Sequence, residues 1–194
     1  MSASGVDTST CLLASELRKG GHRVTRFLPW KEESTLASGD EVVQLPSLRV
    51  SRSQEVYWTY PLNLPLFEKF YRDRFDLIHI HTNTVINLLA WQMAGAFKLP
   101  IVYTYHTMAK DYAHYLGPIH DHMGKIVDSA IESYDKLICD RADAIITPSA
   151  KAAHYLENIG IEEVKIIPNG INLRLFQPTP SDWLRRRFAI PAEH

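Results

Sequence analysis

Short apolar runs alternate with segments of helical period along the whole chain. Leu12, Leu13 and Leu17 recur at helical spacing between Ser9 and Gly20, and Gly20-Gly21 supplies the stop. Residues 23–28 (RVTRFL) read as a strand ended by Pro29, and residues 41–45 and 48–50 as further strand pieces around Pro46. An amphipathic helix is predicted over 62–74, a buried strand over 77–81 (LIHIH), an apolar helix over 85–97 and a strand over 101–105 (IVYTY). A long helical pattern covers 121–140, followed by a strand at 144–147, a helix at 149–158 and a strand at 164–167. Strands that alternate with helices and lack polar alternation belong in a parallel sheet covered on both faces. The fold class expected is α/β, a Rossmann-like doubly wound sheet with ligands at the carboxyl ends of its strands.

The two ends read differently from the middle. Residues 177–180 (QPTP) form a proline-punctuated break, and Ser181 is expected to cap a short basic helix over 182–188. Residues 1–176 are therefore expected to be one domain, and 177–194 a linker leading to a second. At the start, the small-residue turn around Gly5 leads into the first helix with only four residues before it. A strand takes about 5–6 residues, so the sheet is expected to lack its first strand.

Composition narrows the function classes. The chain has 194 residues, 45% hydrophobic and 22% charged, as in ordinary globular proteins. A net charge of −1 provides no general drive toward nucleic acid, and no nucleic-acid partner is expected. No apolar run approaches the ~20 residues of a membrane span and no secretory segment opens the chain, so a cytoplasmic location is expected. The two cysteines, Cys11 and Cys139, have no metal-ligand spacing around them and read as buried free thiols.

Candidate chemistry gathers at predicted strand ends. The Ser4-Gly5-Val6 turn enters a helix, where backbone N–H groups can face an anion, although a plain strand-to-helix connection needs the same turn. His79 and His81 share one face of their strand; without a third ligand at suitable spacing they read as one packed histidine and one lining a cleft, with no metal. His106 and Thr107 end the next strand, with Asp111 and Tyr112 close behind. Histidine can donate a hydrogen bond in either protonation state, and a core histidine with satisfied nitrogens is the alternative. Asn169-Gly170 ends the last strand, foremost as a turn.

In order, these stretches are a Gly-Val turn into a helix ending RKGGHRV, then DLIHIHT, YTYHTM, ADAIITPS and IPNGIN. Together they resemble the N-terminal domain of family 4 glycosyltransferases of the GT-B fold, over nearly the whole chain. Residues 103–115 (YTYHTMAKDYAHY) look most like the branch that glucosylates diacylglycerol, and residues 183–194 are similar to the linker before the second domain. The resemblance implies a retaining, metal-independent transferase that needs no cofactor beyond its donor substrate, a nucleotide-diphosphate sugar such as a UDP-sugar. This chain would be the acceptor side, inactive without a C-terminal donor domain in cis or in trans.

Residue by residue, the resemblance implies that His106 is the active-site histidine that hydrogen-bonds the transferred sugar. It implies that Gly5 lets backbone approach the donor diphosphate. Asp7, His81, Thr82, Thr107, Asp111 and Tyr112 would line the acceptor pocket, and Asn169 and Gly170 would border the cleft. The chain departs from the family pattern at Asn172, where an acid is usual. Peripheral contact with the inner membrane face fits the lipid-acting branch, but Asp121, Asp128, Glu132 and Asp135 are expected to offset Lys125 and Lys136 on the long helix. Two other classes share the architecture: a non-catalytic module binding a polyol, phosphosugar or lipid headgroup, and a sugar-nucleotide epimerase.

Overall fold

The computed structural model describes residues 5–30, 41–49, 57–60, 62–106, 108, 118–173, 176 and 183–191. Helix α1 spans Gly5–Lys19, starting a turn earlier than the leucine spacing predicts. It closes with Gly21 at φ 89°, a left-handed conformation that glycine adopts without steric cost. Strands β1 (Thr25–Pro29) and β2 (Glu41–Leu45) pair in parallel. Pro29 is the last residue of β1 rather than its terminator. Strands β3 (Ser47–Arg49) and β4 (Tyr57–Thr59) pair antiparallel, so an all-parallel architecture does not hold here, and β4 carried no clear signal in the sequence.

Helix α2 (Leu64–Asp73) is capped by Asn63, whose side chain accepts the Leu66 N–H at 3.1 Å, and has proline in its first turn. Strand β5 (Ile78–Ile80) leads to α3 (Ile86–Phe97), then to β6 (Ile101–Thr104). Helix α4 (Pro118–Cys139) precedes β7 (Ala144–Thr147), α5 (Ala150–Asn158), β8 (Val164–Ile166) and α6 (Trp183–Phe188). Ser149 caps α5 by accepting the Ala152 N–H at 3.2 Å. The predicted cap at Ser181 and the break at 177–180 lie outside the described residues.

Strands β5, β6, β7 and β8 form one parallel sheet in that order. Among the described residues β1 pairs only with β2, and β5 only with β6, so two parallel sheets stand where one continuous sheet was expected. A shared aromatic core ties them together: Phe27 of β1 and Leu45 of β2 pack with Leu66 and Phe70 of α2, Ile78 of β5, and Leu89 and Met93 of α3. The Phe27, Phe70, Phe75 and Phe97 rings meet there at centroid distances of 4.5–5.8 Å.

The register separates the two faces of the four-stranded sheet. Ile78 pairs with Ile101 and Ile80 with Tyr103, and these side chains, with Tyr105, face a core made with α3, α4 and α5. His79 pairs with Val102, so His79, His81, Val102, Thr104 and His106 take the other face. Strand β5 therefore does alternate, apolar to one side and imidazole to the other.

Under the core face lies a carboxyl group. Asp135 of α4 is fully buried, and its Oδ2 accepts the Tyr105 and Tyr155 hydroxyls at 2.8 and 2.9 Å, while Oδ1 has no partner among the described residues. Asp135 thus offsets no lysine at the surface of α4, contrary to the sequence reading. Burial pushes its pKa up, partly countered by the two hydroxyl donors. An orphaned oxygen is costlier on an anion than on a neutral acid. The folded state holds this proton to higher pH than the unfolded chain does, so its stabilisation is lost as pH rises above the ordinary carboxylate range. Urea midpoints of wild type and Asp135→Asn, compared from about pH 4 to about pH 6, should show wild type losing ground as pH rises. A difference that stays flat would mean the carboxyl is ionised throughout.

Candidate functional site

The carboxyl end of the four-stranded sheet brings three histidines into a row. His79 Nε2 and Thr104 Oγ1 lie 2.7 Å apart, bridging β5 to β6. The His79 and His81 rings are in tilted contact with centroids 4.0 Å apart, and His81 Nδ1 lies 3.0 Å from His106 Nε2. The His81 and His106 rings are 5.3 Å apart at an interplanar angle of 28°. The pattern I-H-I-H followed by T-Y-H produces this row because every second residue of a strand shares a face.

All three imidazoles are held neutral. Burial lowers the His79 pKa to about 4, helped by the charge His106 would carry. Burial lowers His81 to about 3, helped by its two histidine neighbours, and burial lowers His106 as well. Neutral imidazoles suit the 3.0 Å contact, which needs one proton between two nitrogens. Both His79 and His81 are partly buried, His79 beside Thr104 and His81 beside His106. Among the described residues, no group of three or more His, Cys, Asp or Glu side chains is arranged to hold a metal ion.

The loop after β5 is pinned by a residue that the sequence reading passed over. Asn87, buried in the first turn of α3, donates from Nδ2 to the Thr82 carbonyl at 2.9 Å. The Thr82 hydroxyl, exposed, lies 3.1 Å from that of Thr84. A lone asparagine in the apolar stretch VINLLAWQ was the available signal, since a buried amide needs a partner. Thr104 was likewise overlooked.

The first turns of α1 meet the loop after β8, where the Ser9 hydroxyl donates to Asn169 Oδ1 at 2.9 Å. Gly5 and Asp7 are exposed in that first stretch of helix, and Asn169 and Gly170 are exposed in the loop. A Cβ built on Gly5 or on Gly170 meets nothing within 4 Å, so neither glycine is demanded by packing inside the chain. The structure joins His81 to His106, and α1 to the Asn169 loop. Asp7 lies in the first turn of α1, and Thr82 in the loop just after His81. Thr107, Asp111 and Tyr112 lie outside the described residues.

Two smaller expectations are refined. Both cysteines are free, but only Cys139 is buried; Cys11 is partly exposed, with Arg26 Nη1 donating to its Sγ at 2.8 Å. Burial pushes the Cys139 thiol up to about 12, so it is inert. No helix among the described residues is long and apolar enough to cross a membrane.

A parallel α/β sheet with polar side chains gathered at its carboxyl edge has the arrangement in which doubly wound domains bind their ligands. The family model of Glycosyltransferase Family 4 matches residues 3–175, and the chain belongs to that family. It is 27% identical over 176 residues to an alpha-monoglucosyldiacylglycerol synthase of Streptococcus pneumoniae, covering 90% of this chain and 39% of that protein. A synthase of the same name from Acholeplasma laidlawii is 28% identical, over 89% of this chain and 44% of the relative. A D-inositol 3-phosphate glycosyltransferase of Thermobispora bispora is 29% identical over 62% of this chain and 28% of its own length. The chain thus spans about two fifths of the length of the two synthases. Among solved structures, sucrose-phosphate synthase from Thermosynechococcus elongatus superposes with a TM-score of 0.65 at 20% identity, covering 98% of this chain and 48% of that one. That likeness establishes the GT-B type of α/β fold.

Proposed function

We propose that this chain is the acceptor-side domain of a retaining glycosyltransferase that moves a hexosyl group from a nucleotide-diphosphate sugar. The observation that carries the proposal is the half-open imidazole of His106 at the end of β6, clasped by His81, in a chain that matches the family over residues 3–175. In such a transfer, positive charge grows on the sugar ring and negative charge on the departing diphosphate. His106 would hydrogen-bond the sugar and help organise that charge. The positive end of α1 would face the diphosphate, with Gly5 admitting it closely.

A lipid acceptor, of the diacylglycerol kind, is the favoured substrate class, because the two relatives matched over about nine tenths of this chain are named for it. Asp7, Thr82, Thr107, Asp111 and Tyr112 would contribute to the acceptor pocket, and Asn169 and Gly170 to its border. The donor would be completed by a second domain, in cis or in trans; Ile166, Ile167, Ile171, Leu173 and Phe176, each more than half exposed, supply apolar surface beside the cleft for it. The reaction would take place in the cytoplasm, with the enzyme peripheral on the inner membrane face.

The test is transfer of labelled glucose from UDP-glucose to diacylglycerol in mixed vesicles, with inositol phosphate as the competing acceptor. The enzyme is this chain together with a donor-binding domain. Gly5→Val should raise KM for the nucleotide sugar by about tenfold, roughly 1.4 kcal/mol, and leave the thermal midpoint unmoved, since its side chain meets nothing in the fold. An unchanged KM would remove Gly5 from the donor site. Binding of headgroup without any transfer would instead favour the non-catalytic module.

A further inference from the structure

The row of side chains Thr104–His79–His81–His106 does more than bring a histidine to the cleft. His106 offers two ring nitrogens, and Nε2 is engaged by His81 Nδ1 at 3.0 Å. His81 is in turn fixed from two sides. Its ring lies on that of His79, centroids 4.0 Å apart, and His79 is tied at 2.7 Å to the hydroxyl of Thr104, which is itself buried in β6. The chain just after His81 is fixed as well, because the Thr82 carbonyl accepts the buried Asn87 amide. A ring so restrained is a rigid partner, and a hydrogen bond to a fixed partner holds a histidine in one tautomer.

We infer that His81 is a positioning residue: its Nδ1–H donates to Nε2 of His106 and holds His106 as the Nδ1–H tautomer, with that N–H turned away from His81. The inference rests on the transferase reading of His106, which calls for a fixed donor presented to a sugar hydroxyl. The 3.0 Å contact shows that the two rings share one hydrogen bond, and that role sets its direction. Two neutral imidazoles share one proton across this contact. If His106 were the donor it would present a bare nitrogen on its far side and could only accept. With His81 as the donor, the far nitrogen of His106 carries its proton in the ground state, so no reorganisation is needed when charge develops.

The experiment reads ring nitrogens by long-range proton–nitrogen correlation spectra of the 15N-labelled chain at neutral pH. His106 should show a protonated Nδ1 and a bare Nε2. His81→Leu should convert it to the Nε2–H form that free histidine favours, and His81→Asn, whose amide N–H stands near the position of Nδ1–H, should restore the Nδ1–H form. Backbone amide spectra report whether each variant keeps the fold, and the asparagine variant preserves the test if the leucine variant unfolds. A wild-type His106 protonated at Nε2, or a tautomer indifferent to both substitutions, overturns the inference. In the transfer assay His81→Leu should lower kcat more than it raises KM, with partial recovery in His81→Asn. If the tautomer switches while kcat does not move, the positioning by His81 stands and the catalytic role of His106 falls.

Discussion

His106→Ala in the active transferase is expected to slow glycosyl transfer by about 10²–10³-fold, the usual effect of deleting one fixed donor aimed at developing charge. The imidazole sits at the end of β6, partly exposed, outside the packed core that Tyr103 and Tyr105 form on the opposite face. Removing it breaks one side-chain hydrogen bond, to His81, which costs about 1 kcal/mol of stability. The rate effect at the upper end of that range is several times larger in free energy, so activity and folding separate cleanly. Initial rates of labelled-sugar transfer, read beside thermal midpoints, provide the check. His106→Gln, which keeps an amide donor, should recover part of the rate. A rate within twofold of wild type would leave the histidine row a structural feature only.

The second large effect is acid lability. In the folded chain His79 and His81 titrate at about 4 and about 3, against about 6.5 when unfolded. Their folded pKa values are depressed, so the stability they contribute is complete above about pH 6.5 and is lost as pH falls toward about 4. Within that window the unfolded chain binds up to two more protons, a slope of roughly 2–3 kcal/mol per pH unit. Asp135, whose raised pKa acts in the opposite direction, contributes at most one proton and cannot cancel two histidines. A domain of ordinary stability, about 5–15 kcal/mol, should therefore lose a large part of it between pH 7 and pH 5. Urea midpoints across that range should fall steeply. His79→Gln should flatten the curve, and a midpoint independent of pH would show that the rings are protonated within the fold.

Much of the architecture could be read directly from the residues. Element types and order followed from apolar period, and boundaries moved by one to a few residues, because caps such as Asn63, Ser149 and Arg74 in its left-handed conformation decide where a helix ends. The β3–β4 ribbon was not legible. Three-residue strands carry too little pattern, and their pairing joins residues eight to twelve positions apart. Nor was the separation of the β1–β2 pair from the β5–β8 sheet, seen among the described residues, since strand pairing is non-local.

At the site, alternation placed His79 and His81 on one face, and the order of stretches around His106 carried the family resemblance. Spacing along a strand determines direction, because backbone geometry is local and repeats every two residues. Which side chains across the sheet touch is decided by register, a non-local quantity set by the pairing of Ile80 with Tyr103 and by packing on the apolar face. Hence the 3.0 Å bond between His81 and His106, the anchoring of Thr82 by Asn87, and the meeting of Ser9 with Asn169 belong to the tertiary structure alone. The burial that keeps the imidazoles neutral has the same origin, because desolvation depends on what the rest of the chain places over a ring, and no short stretch of residues specifies that.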